Sequence, residues 1–291
     1  MSVYQIQNNL LTIKVNSFGA ELSSVFANAT QIEYIWQAKE SIWARHAPNL
    51  FPIVGKLKDG EFSYQSQFYE LPQHGFARDN EFICIEQKED FLLFEFTANE
   101  QTFKNFPFHF SFQVGYTLVD NKLEISYSVF NPDNREMYFS VGAHPAFNCP
   151  LQPNESFQDY ELIFPYKDQL CIHSLNDGLI SSVTKNIELK DRKISVTKQL
   201  FENDALVFMN SQIDEVQLVS KQSKHGVSLK SPNWPYYGIW SKKGIDEFIC
   251  LEPWYGIADM DTTNGVISEK TGIIKLDAQQ QFKCSFEILF F

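Results

Sequence analysis

Basic residues are in short supply: 24 Lys and Arg stand against 36 Asp and Glu, a net charge of −12 over 291 residues. A nucleic-acid backbone is bound through a cationic footprint, so this balance argues against a general nucleic-acid partner. An anionic substrate would need a local cationic pocket. Cysteine is sparse, and Cys84, Cys149, Cys171, Cys250 and Cys284 are odd in number and contain no C-x-x-C pair. They read as small buried hydrophobes of a reducing compartment, neither disulfide staples nor zinc ligands. H-x-H and H-E-x-x-H spacings are missing as well, so no metal is expected. No apolar run approaches the roughly 18 residues of a membrane span. The start, Met1-Ser-Val-Tyr-Gln-Ile-Gln-Asn-Asn9, lacks the basic head and apolar core of a secretory signal, which makes the cytoplasm the expected location.

Helical periodicity is equally scarce. Only 99–106 suggests one or two helical turns, with Asn99 as cap and Pro107 as stop. Alternation with a period of two fills the rest. Leu11, Ile13 and Val15 are interleaved with Thr12 and Lys14, and Leu123, Ile125, Tyr127 and Val129 with Glu124, Ser126 and Ser128. Phe282, Cys284, Phe286, Ile288 and Phe290 repeat the pattern at the C-terminus. Such runs are half-buried antiparallel strands. The 27 Phe, 12 Tyr and 5 Trp, against only 4 Met, favour strands too. Turn residues punctuate the runs at Asp59-Gly60, Asp120-Asn121, Asn131-Pro132-Asp133-Asn134, Asn176-Asp177-Gly178 and Asn264-Gly265. With no repeat or linker, the expectation is an all-β chain: residues 1–291 as a single domain, one large antiparallel β-sandwich with few short helices.

Two stretches carry the chemistry. The run Ser140-Val-Gly-Ala-His-Pro145 ends an extended segment at His144, and Pro145 keeps His144 out of the α region, so the imidazole leaves the strand end at a defined angle. An imidazole near its free pKa of ~6.5 suits a general acid, although a His hydrogen-bonded within an aromatic core reads the same way. In Asp246-Glu-Phe-Ile-Cys-Leu-Glu-Pro-Trp254, the apolar strand Phe248 to Leu251 ends at Glu252, locked by Pro253. Glu is rarely buried unpaired, so it is either half of an acid–base pair with His144 or a strand end turned to solvent. Trp234, Trp240 and Trp254 offer flat faces of the kind that pack on sugar C–H surfaces, or simply core.

Three other stretches are weaker. In Leu71-Pro-Gln-His-Gly-Phe-Ala-Arg-Asp79, His74 is a possible donor to a hydroxyl, and Arg78 pairs either with a ligand anion or with Asp79. Lys56, after Gly55, is either a binding cation or a solvated one beside a turn, and Asp204 either accepts hydroxyls or turns the chain. Glu252 with Asp204 is the one carboxylate pair a glycosidase would use.

These stretches together resemble the aldose 1-epimerase, galactose mutarotase-like family, and more narrowly its LacX-type branch encoded with lactose-utilisation genes. The resemblance runs end to end, through Gly19-Ala-Glu-Leu-Ser-Ser24, Leu50-Phe-Pro-Ile-Val-Gly55, Gln73-His-Gly-Phe-Ala-Arg78, Gly142-Ala-His-Pro-Ala-Phe147 and Leu251-Glu-Pro-Trp254. It implies a single β-sandwich with a sugar site on its concave face, and an aldohexose interconverted between anomers without any cofactor. It assigns the proton donor to the ring oxygen to His144 and the base on the anomeric hydroxyl to Glu252. His74 and Asp204 would bind hydroxyls. Lys56 would stand where a binding Arg is usual, losing the planar fork. The string His74-Gly-Phe-Ala-Arg78 also resembles relatives acting on hexose 6-phosphates, in which Arg78 would help hold phosphate. A carbohydrate-binding or sensing module that kept the sandwich without turnover is the alternative from another class.

Overall fold

The structure, a computed structural model, describes residues 2–291. The two most regular alternating runs, Lys122–Phe130 and Gln281–Phe290, pair antiparallel with Leu123 facing Ile288 and Ile125 facing Phe286. They form the centre of a 9-stranded sheet that runs from Lys193–Ser195 at one edge to Ile83–Gln87 at the other. An 8-stranded sheet lies against it, ordered Leu179–Glu188, Gln169–Asn176, Leu206–Met209, Tyr236–Trp240, Phe248–Tyr255, Val141–Ala143 and Asn49–Leu50, with Ala146–Asn148 also paired to Phe248–Tyr255. The sandwich expected from the sequence is therefore present. A 4-stranded sheet from the N-terminal residues flanks it.

The inner faces meet in one aromatic core. Phe51 stacks on Phe112 at 4.6 Å, and Tyr127 meets Trp234 at 6.4 Å. Such ring pairs add about 0.5–1.5 kcal/mol each beyond area burial. One polar strut crosses this core: the Tyr127 hydroxyl donates to Asn49 Oδ1 at 2.7 Å, and Asn49 Nδ2 donates to the Gly19 and Ala20 carbonyls at 2.9 Å each. The short helix Glu100–Asn105 is capped as its sequence indicates, with Asn99 Oδ1 accepting from the Gln101 and Thr102 amides.

The C-terminal strand lies between Gly226–Lys230 and Lys122–Phe130. Removing residues 281–291 would split the 9-stranded sheet and bare two apolar edges. Loss of soluble protein and of the cooperative melting transition is the expected result, read from the soluble fraction on expression and from circular dichroism.

Alternation decides where a site can form. Along Phe248–Tyr255, Ile249 and Leu251 enter the inter-sheet core, while Phe248, Cys250 and Trp254 join two smaller clusters on the opposite face. Loops cover that outer face, so every residue from Phe248 to Trp254 is buried. This is why the run reads as continuously apolar.

Candidate active site

Glu252 belongs to the covered outer face. The strand does not end there, as the sequence suggests, but continues through Pro253 to Tyr255. Pro253, with no N–H to give, stands beside a break in the neighbouring strand at His144–Pro145. On either side of the break Gly142 pairs with Trp254 and Ala146 with Cys250. The same register sets His144 directly opposite Glu252, so the two side chains share a face as a cross-strand pair. His144 Nε2 lies 3.1 Å from Glu252 Oε2, both residues being buried. Neither His144 Nδ1 nor Glu252 Oε2 has a hydrogen-bond partner among the described residues, so the pair is within ion-pair range without an aligned hydrogen bond.

Trp43 stacks on the His144 ring at 5.1 Å and Trp240 meets its edge at 5.7 Å. Trp254 lies flat because two glycines permit it: a Cβ on Gly142 would come within 2.6 Å of the indole, and one on Gly238 within 2.3 Å. The three indoles, His144 and Glu252 line one cavity of about 460 Å³.

His74 lines the same cavity, its ring edge-on to that of His144 at 5.4 Å. Its backbone is left-handed (φ 68°) and is held by a reciprocal pair of bonds, His74 N–H to the Gly55 carbonyl at 2.9 Å and Gly55 N–H to His74 Nδ1 at 3.1 Å. Accepting at Nδ1 places the hydrogen on Nε2, which can donate to a ligand. Burial lowers the His74 pKa well below its ordinary value, helped by His144, Arg78 and Arg45, so the ring is a neutral donor. Asp204 sits exposed at the cavity rim with a left-handed backbone (φ 75°), its Oδ1 accepting from the Ala205 amide at 2.8 Å.

The cations are arranged differently from expectation. Arg78 lines the cavity, but one end is spent on the Gln73 carbonyl at 2.7 Å and its Nε lies 3.8 Å from Asp79. Lys56 is absent from the cavity lining; its ammonium bonds the carbonyl and the carboxylate of Asp177, each at 2.9 Å. A second guanidinium lines the cavity, that of Arg45, which shares Asp79 with Arg78 and bonds it at 2.9 Å. Sequence reasoning missed Arg45 and Trp43. The available signal was the run Trp43-Ala-Arg-His46, polar and aromatic without alternation, ahead of Pro48. Glu21 holds this run, accepting from the His46 and Ala47 amides at 2.8 and 3.0 Å.

Electrostatics oppose the charges expected on the central pair. Burial lowers His144 to about 3, and burial with the nearby Asp204 carboxylate raises Glu252 well above the carboxylate range. Both push the resting pair towards its uncharged form, with the shared proton on the carboxyl. Cys250 Sγ completes a group of possible ligand atoms within 4.8 Å of one another. Its thiol is pushed well above its ordinary value by burial and by Glu252, and it packs with Trp36, Ala146 and Phe248, which disfavours the thiolate a metal would need.

The raised Glu252 pKa has a stability consequence. The unfolded carboxyl ionises near pH 4.5 while the folded one keeps its proton, so stability falls as pH rises, by about 1.4 kcal/mol per unit, until the folded value is reached. Glu252→Gln removes this slope. The variant is expected to melt above the wild type, with a gap that widens from pH 5 to pH 8 in calorimetry; a constant or shrinking gap would contradict the protonated carboxyl.

A model of the family described as aldose 1-epimerase matches residues 2–265. Among curated proteins, the chain is 29% identical over 293 residues to the chromosomal protein LacX of Lactococcus lactis subsp. lactis, covering 98% of each. Among solved structures, it is similar to a galactose mutarotase related enzyme from Lactobacillus acidophilus, with a TM-score of 0.96 and 35% identity over 100% of this chain and 97% of that one. A galactose mutarotase-like protein from Lactobacillus casei gives a TM-score of 0.93 and 29% identity over 100% of both chains.

Proposed function

The chain belongs to the aldose 1-epimerase family and is an isomerase acting on a sugar, and from that premise we propose that it interconverts the α and β anomers of an aldohexose by acid–base ring opening at His144 and Glu252. The observation that carries the reading is the 3.1 Å pair of a buried imidazole and a buried carboxyl, set in a cavity walled by Trp43, Trp240 and Trp254. Residues 1–291 act as one unit, in the cytoplasm and without a cofactor.

The reaction turns on one proton. Glu252 and His144 hold it together, and at rest it sits on the carboxyl. The charge-separated form, with the proton on His144, is reached over a 3.1 Å gap, where the attraction of opposite charges offsets part of the desolvation cost. In that form Glu252 takes the proton from the O1 hydroxyl while His144 donates to the ring oxygen. The C1–O5 bond breaks, C1 becomes the aldehyde, and rotation about C1–C2 exposes its other face. Closure on the other face reverses both transfers, Glu252 giving its proton to O1 and His144 taking one from the O5 hydroxyl, so the pair carries one proton throughout. His74 Nε2–H and the Asp204 carboxylate, both lining the cavity, hold hydroxyls.

Polarimetry on freshly dissolved α-glucose and α-galactose tests the reading: anomerisation should be accelerated over the buffer rate. Sugar binding by calorimetry without acceleration would leave only a binding module. The active enzyme carries one proton on the coupled pair, so kcat/KM should show no step through the ordinary histidine range, falling in acid towards the lowered His144 value of about 3 and in alkali as Glu252 loses its proton. A decline centred near 6.5, the ordinary histidine value, would contradict this assignment.

A second reading, a hexose 6-phosphate as substrate, is favoured by one observation. Arg45 and Arg78 both reach the cavity and both lie against one carboxylate, Asp79, which gathers two guanidiniums at one end of the site.

A further inference from the structure

One wall of the cavity is built from chain segments that have no sheet partner of their own there. Gly55 offers its amide and carbonyl to His74, and Ile257 and Ala258 line the cavity beside it. These segments are in intimate contact: a Cβ on Gly55 would lie 2.5–2.6 Å from Ala258 atoms. What joins them is a buried ion pair that does not line the cavity. Lys270 Nζ is 2.7 Å from Asp259 Oδ1, both side chains being 3% exposed, and it also donates to the Ile257 carbonyl at 2.7 Å. Asp259 Oδ2 accepts from the Lys58 amide at 2.9 Å, and the Asp259 amide donates to the Lys56 carbonyl at 2.9 Å. The Asp259 carbonyl accepts from Ile180, another lining residue, at 2.8 Å.

We propose that Asp259 and Lys270 are positioning residues for sugar binding: their ion pair locks segments 55–58 and 257–259 together and thereby fixes the Gly55–His74 clamp that aims His74 Nε2–H into the cavity. This inference rests on the sugar-site reading above and adds residues remote from the reacting atoms. Two features make the pair suited to the task. A charge-assisted bond out of reach of water is strong and geometrically narrow. Its two side chains also hold the wall through two backbone groups, the Ile257 carbonyl and the Lys58 amide, so loosening it moves backbone, where no rotamer change can compensate. The pair does not touch His144 or Glu252, which are set by strand register on the sheet itself.

This division makes the inference testable against a merely structural role. Breaking one partner strands a buried charge and is strongly destabilising, whereas removing both charges is often close to neutral. The variant to use is therefore Asp259→Asn with Lys270→Met, alongside Asp259→Asn alone. Assayed well below its melting temperature, the double variant is expected to raise KM and the calorimetric Kd for glucose or galactose at least tenfold. Its kcat should stay within about twofold and its kcat–pH profile should not move. A KM and Kd equal to the wild type, or a loss confined to kcat, overturns the inference. Failure of wild-type mutarotation would instead sink the sugar-epimerase reading; the Kd comparison would still report on the wall. Should neither variant fold, amide exchange on the wild type decides. The Gly55, Lys58 and Ile180 amides are expected to exchange only with global unfolding, and opening at lower free energy than the strand Phe248–Tyr255 would overturn the proposal.

Discussion

Glu252→Gln and His144→Asn are each expected to lower kcat for mutarotation by about 10³-fold, within the 10²–10⁴-fold range of a positioned acid or base. Circular dichroism should be unchanged. Neither substitution disturbs backbone pairing: Glu252 sits mid-strand between Gly238 and the break at His144–Pro145, and glutamine keeps its volume. What glutamine loses is the ability to hold or release the shared proton. Asparagine at 144 still fits beneath Trp43 but cannot donate a proton to a ring oxygen within the general-acid reach of about 2.6–3.2 Å. The two residues act as one proton-holding unit, so the double variant should be scarcely worse than either single one. KM should change little, because the indoles, His74 and Asp204 remain. A rate near the wild type in either single variant would remove that residue from the chemistry.

The fold was legible because its strands alternate. Leu123 to Val129 and Phe282 to Phe290 announce their inner faces residue by residue, and both runs lie in the 9-stranded sheet where their alternation places them. His144 and Glu252 were legible as anomalies, a histidine and a carboxylate where apolar strand residues belong. Their mutual geometry was not, since it depends on the pairing of Gly142 with Trp254 across more than 100 residues of intervening chain. Lys56 was misplaced for a related reason. Its segment does reach the site, through Gly55, but the next side chain points to Asp177 on the hairpin between Gln169–Asn176 and Leu179–Glu188. Arg45 takes the cavity position because Glu21, in a strand of the N-terminal sheet, pins the two amides that follow it. Neither strand pattern nor local motif reveals a carboxylate reaching across sheets. Protonation was the other hidden quantity. Burial of both partners disfavours the charged forms the mechanism uses, the imidazolium and the carboxylate.

Arg78→Ala is expected to lower kcat/KM by more than tenfold for free and 6-phosphorylated hexose alike, and to lower the melting temperature. The guanidinium is mostly buried, which lowers its pKa to about 10 and leaves it charged at neutral pH. Its firmest bond runs to the Gln73 carbonyl at 2.7 Å, one residue before the strained backbone of His74. Removing it frees the loop that presents His74, which any sugar would feel, phosphorylated or not. Asp79 would stay neutralised by Arg45 at 2.9 Å, so no carboxylate is left unpaired. A phosphate-binding role predicts a different outcome, since a bidentate, charge-assisted contact is about twice as strong as a neutral hydrogen bond and is lost only with the phosphorylated substrate. Arg45→Ala separates the two. Arg45 is the more exposed of the pair at the cavity, and its removal touches no carbonyl of the His74 loop. If the substrate is a hexose 6-phosphate, Arg45→Ala should cost tenfold or more with that substrate and little with the free sugar. Equal losses with both would assign Arg45, like Arg78, to holding Asp79 and the loop beneath His74. A selective loss of the phosphorylated substrate in Arg78→Ala would overturn the structural role given to Arg78.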